Sequence, residues 1–109
     1  MSGFTPEQKR IVLDRDGHLC AMCGHRATEV NHRANRGHGG HRASNRIANG
    51  CAICSSCNGL IESDADRAAL ARDRGVKLSR YADPLAEPYL HPLFRMPVLL
   101  DDLGGFEFV

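Results

Sequence analysis

The chain has no tryptophan and few other aromatic residues: four phenylalanines and two tyrosines, or 6% of its 109 residues. Hydrophobic residues still make up 42% of the sequence, which is enough for one small domain spanning residues 1–109. A core this poor in large side chains needs another source of stability, and a structural metal ion is one such source. The composition therefore favours a domain that is stabilised by a bound metal ion.

Other features are also missing, and each absence excludes a class of protein. No apolar run approaches the roughly 20 residues of a membrane-spanning helix, so no membrane partner is expected. The first ten residues, MSGFTPEQKR, contain no apolar signal-peptide core. The five cysteines are an odd number, unlike the even sets of secreted disulfide scaffolds. These absences predict a cytoplasmic protein with reduced cysteines.

The cysteines fall into Cys-x-x-Cys pairs, which is the spacing of zinc ligands. Cys20 and Cys23 form the first pair, and Cys54 and Cys57 form the second. Four thiolates hold one tetrahedral Zn²⁺ and leave it no open position, so this zinc is predicted to be structural. Cys51 lies three residues before Cys54, and spacing alone also permits Cys51 and Cys54 as the second pair.

Charge is distributed unevenly, although the net charge is only +1. Residues 1–60 contain eight Lys/Arg and four Asp/Glu, whereas residues 61–109 contain six and nine. Five arginines lie between the two cysteine pairs. A basic segment of this kind favours a polyanionic partner such as nucleic acid, although an ordinary solvated loop explains the same charge.

Local patterns predict an α+β domain. A helix is expected to begin at Pro6, because Thr5 and Gln8 can form a capping box, and to end at Gly17. The other expected elements are a strand at 27–31, a loop at 33–44, an extended segment at 47–53, a helix capped by Ser55 and a helix at 65–74. Residues 76–109 are predicted to form an extended, proline-punctuated tail in which residues 97–100 and 106–109 pair as a hairpin. His91 in this tail is interpreted as incidental.

Five segments of the sequence together resemble the HNH endonuclease family: RDGHLCAMCG, EVNHR, RGHGG, NRIANGCAICSSCN and GLIES. The similarity is greatest to the small zinc-containing members carried by tailed bacteriophages and actinobacteria, and it covers about residues 10–75. It implies the ββα-metal (His-Me finger) fold, a strand hairpin followed by a helix, with a core at about residues 5–75. It also favours Cys54 and Cys57 as the second zinc pair, with Cys51 as a small buried residue.

The same resemblance implies a role for each matching residue. His32 matches the general base that takes a proton from the attacking water, and Asn49 matches the middle asparagine, which orients the hairpin loop or touches the metal. Asn31 and Asn58 match the ligands of a catalytic divalent ion such as Mg²⁺ or Mn²⁺. Relatives usually carry Asp or His at the position of Asn31, so this chain departs from the family pattern by having a neutral ligand there.

The function implied is that of a DNA endonuclease of the His-Asn-Asn variant, which nicks DNA or cuts both strands. Arg33, Arg36 and Arg42 are expected to contact DNA phosphates near the cut. The resemblance also suggests a phage terminase as a partner, a role in genome packaging and the host cytoplasm as the location. Because Asn31 is neutral, the alternative is a weakened or inactive HNH-like zinc module that binds DNA or a protein.

Overall fold

The computed structural model describes residues 3–35 and 45–109 of the chain. In chain order the described elements are α1 (Pro6–Arg15), β1 (Glu29–His32), a short 3-10 turn (Ile47–Asn49), β2 (Gly50–Ile53), α2 (Ser55–Ser63), α3 (Ala65–Asp73), β3 (Tyr89–Leu90), β4 (Pro97–Leu100) and β5 (Phe106–Phe108). The α+β class predicted from the sequence is confirmed. Among the described residues, none of the helices has the length and apolar character needed to cross a bilayer.

Helix α1 begins where the sequence predicts, because its first turn contains a complete capping box. Thr5 Oγ1 accepts from the Gln8 amide at 3.1 Å, and Gln8 Oε1 accepts from the Thr5 amide at 2.9 Å. These bonds satisfy N–H groups that have no partner within the helix. The helix ends at Arg15, and Gly17 follows with a φ of +68°, a left-handed conformation that suits glycine.

Strands β1 and β2 pair antiparallel over four residues, with His32 at the end of β1 opposite Gly50 at the start of β2. Strand β2 is buried along its whole length and lies against α1. A Cβ atom at Gly50 would come within 2.9 Å of Val12 Cγ2. Glycine at this position therefore allows β2 to pack closely against α1. Helix α2 follows β2 after a single residue, and the chain therefore runs strand, strand, helix.

Two boundaries in this region differ from the sequence prediction. Residues 47–49, predicted as extended, form a 3-10 turn because the Asn49 amide donates to the Arg46 carbonyl oxygen at 2.9 Å. Cys54, rather than Ser55, occupies the N-cap position of α2. Cys54 has an extended conformation, with φ −85° and ψ 158°, so the first helical residue is Ser55.

The C-terminal residues form a three-stranded antiparallel sheet in the order β3-β4-β5. Pairing of β4 with β5, with Val98 opposite Phe108, confirms the predicted hairpin. The structure adds a third strand to that hairpin, because β3 pairs with the start of β4. Tyr89 and Val98 are fully buried, so this sheet contributes to the hydrophobic core of the domain.

A buried polar network joins this sheet to the end of α1. The Asp16 carboxylate accepts from Arg15 Nε at 2.9 Å, from the Ala52 amide at 2.9 Å and from the Tyr89 hydroxyl at 2.8 Å. His91 Nε2 lies 2.8 Å from the carbonyl oxygen of Arg15, and the His91 side chain is fully buried. The interpretation of His91 as incidental is therefore wrong, because its ring is an internal contact between the sheet and α1.

Arg33 is a second buried cation, and its position corrects a sequence-based prediction. It is only 1% exposed, and its five N–H donors all point to main-chain carbonyl oxygens. The acceptors belong to Gly75 (2.7 Å), Ala48 (2.9 Å), Pro84 (3.0 Å), Glu87 (2.8 Å) and Pro88 (3.4 Å). A guanidinium whose donors are all used inside the protein cannot contact DNA phosphates, so the assignment of Arg33 to nucleic-acid binding is wrong. Arg36 and Arg42, the other two arginines of that prediction, lie outside the described residues.

We expect Arg33→Met to lower the free energy of unfolding by about 4 kcal/mol or more, because each buried acceptor that loses its donor costs about 1–3 kcal/mol. Arg46→Met is the matched control. Arg46 pairs with Asp102, and the two side chains are 36% and 37% exposed, so their pair contributes about 1 kcal/mol at most. Urea denaturation measures both variants. Equal losses of stability in Arg33→Met and Arg46→Met would show that the five carbonyl groups around Arg33 do not need its guanidinium.

Candidate functional site

The sulfur atoms of Cys20, Cys23, Cys54 and Cys57 lie together, all within 4.8 Å of one another. The sulfurs of Cys23 and Cys54 are 3.7 Å apart, which is too far for a disulfide bond of about 2.05 Å. Two thiolates at tetrahedral positions about 2.3 Å from one zinc are expected to be about 3.8 Å apart. The cluster is therefore positioned to hold a metal ion, and its four sulfur donors suit zinc.

Local backbone structure places both halves of this cluster. The turn after Cys20 closes through a 2.9 Å bond from the Gly24 amide to the Cys20 carbonyl oxygen, and Gly24 has a φ of +77°. The amide of the residue after Cys20 donates to Ala52 O in β2 at 2.9 Å. Cys54 caps α2 and Cys57 lies in its first turn. A bound metal would thus connect the turn after Cys20, which is hydrogen-bonded to β2, with the start of α2.

The thiols of Cys20 and Cys51 have different environments. Burial raises the pKa of Cys20, but hydrogen bonds from the backbone, including the Met22 amide at 3.4 Å, lower the pKa to about 7. Burial raises the pKa of Cys23 and of Cys57, so Cys20 is the most readily deprotonated of these three thiols when no metal is bound. Cys51 is fully buried in β2, and burial raises its pKa to about 12. Cys51 is not part of the cluster, so the alternative pair of Cys51 and Cys54 is excluded.

The ring of His32, at the end of β1, is held by two contacts. It stacks on Phe4, with ring centroids 4.4 Å apart and planes at 21°. His32 Nε2 lies 2.8 Å from Asn45 Oδ1. Because an amide oxygen can only accept, Nε2 donates in this pair, and the neutral form of the ring then has its lone pair on Nδ1. The ring is half-buried, so part of it remains accessible to solvent.

Asn49 lies behind the hairpin and is 1% exposed. Its Oδ1 accepts from the Ala34 amide at 2.8 Å, and its Nδ2 donates to the Ala34 carbonyl oxygen at 2.9 Å. The main-chain oxygen of Asn49 also accepts from the Arg33 amide at 2.8 Å. These bonds fix the chain immediately after His32. Asn49 thus ties the segment that follows β1 to the turn that precedes β2.

His32 lies on the wall of a pocket of about 210 Å³, which we call the β1–α2 pocket. Strand β1 contributes Asn31 and His32, helix α2 contributes Glu62, and the segment after α3 contributes Lys77. Asn35, just after β1, also lines the pocket, which therefore combines an imidazole, two amides, a carboxylate and an ammonium group. Oxygen and nitrogen donors of these types can bind a divalent ion, and an ammonium group can bind a phosphate.

The β1–α2 pocket contains only part of the set predicted from the sequence. Asn31, His32 and Arg33 line it, whereas Asn58 does not, although it is half-buried on α2. Glu62 and Lys77 are pocket residues that the sequence interpretation does not include. Glu62 follows Asn58 by four residues, which places both on one helix face, so its spacing was a usable signal. No sequence pattern identifies Lys77 as a pocket residue, because its position depends on how the chain packs after α3.

Comparison of the chain with protein-family models, with curated proteins and with solved structures finds no match. The cysteine cluster and the β1–α2 pocket are the features of the described residues that bear on its function. The two features share one element: Cys57 in the first turn of α2 belongs to the cluster, and Glu62 near the end of α2 lines the pocket. A metal at the cluster would consequently help to fix one wall of the pocket.

Proposed function

We propose that the protein is a metal-dependent endonuclease of the HNH type, which hydrolyses phosphodiester bonds in DNA. The observation that carries this proposal is the placement of His32. Its ring is oriented by Phe4 and Asn45 through Nε2, which leaves Nδ1 as the nitrogen that can accept a proton in the neutral ring, and His32 lines a pocket together with Asn31. The strand–strand–helix order around the pocket further supports it, since this is the order that the resemblance implies.

In this proposal His32 is the general base. Its Nδ1 accepts a proton from a water molecule as the water oxygen attacks the scissile phosphorus, and the bond from Nε2 to Asn45 stabilises the imidazolium that forms. The bond from phosphorus to the 3′ oxygen breaks, which gives 3′-hydroxyl and 5′-phosphate ends. A divalent ion supplies positive charge for the phosphate and the leaving oxygen. Asn31 lines the same pocket, and its amide oxygen is the first candidate to hold that ion.

The four-cysteine cluster has a separate, structural task in the proposal. Four thiolates complete a tetrahedral zinc shell and leave no position for water or phosphate. The cluster instead holds the start of α2 against the turn after Cys20, and α2 forms part of the pocket wall. Zinc is therefore proposed as the structural ion, and Mg²⁺ or Mn²⁺ as the ion that serves hydrolysis.

Cleavage of supercoiled plasmid tests the proposal. Protein loaded with one zinc per chain is incubated with plasmid and Mg²⁺, Mn²⁺, Ni²⁺ or additional Zn²⁺. At least one of these ions is expected to produce nicked or linear DNA, and protein without an added ion is expected to produce neither. DNA binding without cleavage in all four ions would contradict the proposal.

One observation favours a second candidate, a module that binds DNA or a protein without cutting. Asn31 lines the pocket but has no charge, whereas relatives in the family that the sequence resembles usually carry Asp or His there. A pocket with too little negative charge holds a hard divalent ion weakly. The second candidate is therefore a chain that keeps the fold and the zinc cluster but lacks a working ion.

Asn31→Asp separates the two candidates. For an endonuclease, the added carboxylate is expected to lower the Mn²⁺ concentration needed for half-maximal cleavage by about tenfold, because charged oxygen ligands bind hard cations more tightly. The rate at saturating Mn²⁺ is expected to change much less. The measurement is the cleavage rate as a function of Mn²⁺ concentration. A natural chain that never cuts, beside an Asn31→Asp variant that does, would favour the binding module.

A further inference from the structure

We propose that Glu62 supplies the negatively charged oxygen ligand that Asn31 does not, so that the divalent ion binds between β1 and the last turn of α2. This inference rests on the proposed function, because the ion is the one that serves hydrolysis at His32. It places the ligand from α2 one helical turn after Asn58, the residue predicted from the sequence.

The burial of neighbouring residues determines where Glu62 points. Ile61 and Cys57 are 3% and 5% exposed, and both pack into the hydrophobic core. These contacts fix the rotation of α2 about its axis. The next residue after Ile61 is Glu62, which has an exposed side chain and lines the same pocket as Asn31 and His32. Helix α2 and strand β1 therefore each contribute a residue with an oxygen-bearing side chain to the lining of one cavity.

The chemistry of the pocket agrees with a hard divalent ion once Glu62 is included. Mg²⁺ in proteins is held by one or two carboxylates together with water and substrate phosphate, and it rarely has a full set of protein ligands. Glu62 and Asn31 provide one carboxylate and one amide oxygen. Water and a DNA phosphate would complete the shell, so the pocket needs no second imidazole.

The carboxylate of Glu62 is not engaged in an ion pair within the described part of the chain. Lys77 lines the same pocket, yet the ion pairs formed among residues 3–35 and 45–109 include neither Glu62 nor Lys77. A direct pair between them would compete with metal binding. Because no such pair forms, the Glu62 carboxylate can bind the cation, and the Lys77 ammonium group can bind the substrate phosphate.

Binding of Mn²⁺ without DNA tests this assignment independently of cleavage. Zinc-loaded protein is titrated into Mn²⁺, and the loss of the free-ion electron paramagnetic resonance signal gives the dissociation constant. Glu62→Gln is expected to weaken Mn²⁺ binding by about tenfold or more. The matched control is Glu107→Gln, since Glu107 is exposed on β5 and is absent from the pocket lining. This control removes the same charge and is expected to keep the affinity of the natural chain within about twofold.

Three results would overturn the assignment. The first is an unchanged Mn²⁺ affinity in Glu62→Gln, and the second is an equal loss in Glu62→Gln and Glu107→Gln, since net charge would then explain it. The third is no Mn²⁺ site in the natural chain at concentrations up to about 1 mM. Loss of Mn²⁺ affinity in Glu62→Gln alone supports the assignment even if the natural chain never cuts DNA, in which case only the endonuclease proposal fails. The converse result is also distinguishable. If cleavage by the natural chain requires His32 but Glu62→Gln binds Mn²⁺ as tightly as the natural chain, the assignment of Glu62 is overturned and the endonuclease proposal stands.

Discussion

His32→Ala is expected to lower the rate of DNA cleavage by about 10²–10⁴-fold, the usual contribution of a general base. The reason is that alanine offers no lone pair for the proton of the attacking water. The variant is expected to fold, because His32 is only half-buried and its contacts are to Phe4 and to the Asn45 side chain. Single-turnover cleavage at saturating Mn²⁺ measures the effect on the chemical step.

His25→Ala is the matched control for this experiment. His25 has an exposed side chain in the turn of the first cysteine pair and is absent from the β1–α2 pocket. Its replacement is expected to leave the cleavage rate within about twofold, the range of ordinary surface substitutions. A His32→Ala protein that cuts as fast as His25→Ala would remove His32 from the reaction and leave the pocket without a base.

Cys57→Ala is expected to prevent tight binding of one zinc per chain and to lower the free energy of unfolding by about 4 kcal/mol, the stabilisation given by a ligand at a thousand times its Kd. For a domain of this size the corresponding fall in Tm is about 15 °C. The physical reason is that the metal connects the turn after Cys20 to the start of α2. Thermal unfolding followed by circular dichroism, with zinc analysis of the purified protein, gives both quantities.

Cys51→Ala makes the same chemical change outside the cluster. Cys51 is fully buried in β2, so its loss leaves a small cavity and is expected to cost about 1 kcal/mol while zinc content stays at one per chain. A Cys57→Ala protein with full zinc content and an unchanged Tm would show that the cluster does not hold a stabilising metal. Loss of zinc in Cys51→Ala would show that the ligand set is different.

The parts of the fold that depend on neighbouring residues could be predicted from the sequence. The capping box of Thr5 and Gln8 lies within one helical turn, and the predicted start of α1 is confirmed. The pairing of β4 with β5 follows from two apolar segments around a glycine-containing turn. The spacing of the cysteines predicts two ligand pairs, and the structure favours Cys54 and Cys57 because their sulfurs lie in the cluster with Cys20 and Cys23, whereas that of Cys51 does not.

Residues whose surroundings come from distant segments could not be assigned in this way. Arg33 stands beside a basic loop in the sequence, which favours a surface role, yet its acceptors come from segments 15 to 55 residues away. Only the folded chain brings those carbonyl oxygens together. Glu62 is a mixed case: its spacing from Asn58 is local, but the pocket that gives it a role also requires Asn31 and Lys77.

The most direct test of the account is whether a second metal ion starts cleavage that depends on His32. Supercoiled plasmid is incubated with zinc-loaded natural chain or His32→Ala, with and without Mn²⁺, and the DNA ends are determined. The account predicts intact plasmid with zinc-loaded protein alone, cleavage to 3′-hydroxyl and 5′-phosphate ends when Mn²⁺ is added to the natural chain, and a loss of about 10²-fold or more in His32→Ala. Cleavage by the zinc-loaded protein without Mn²⁺, or cleavage that is equal in His32→Ala, would contradict it.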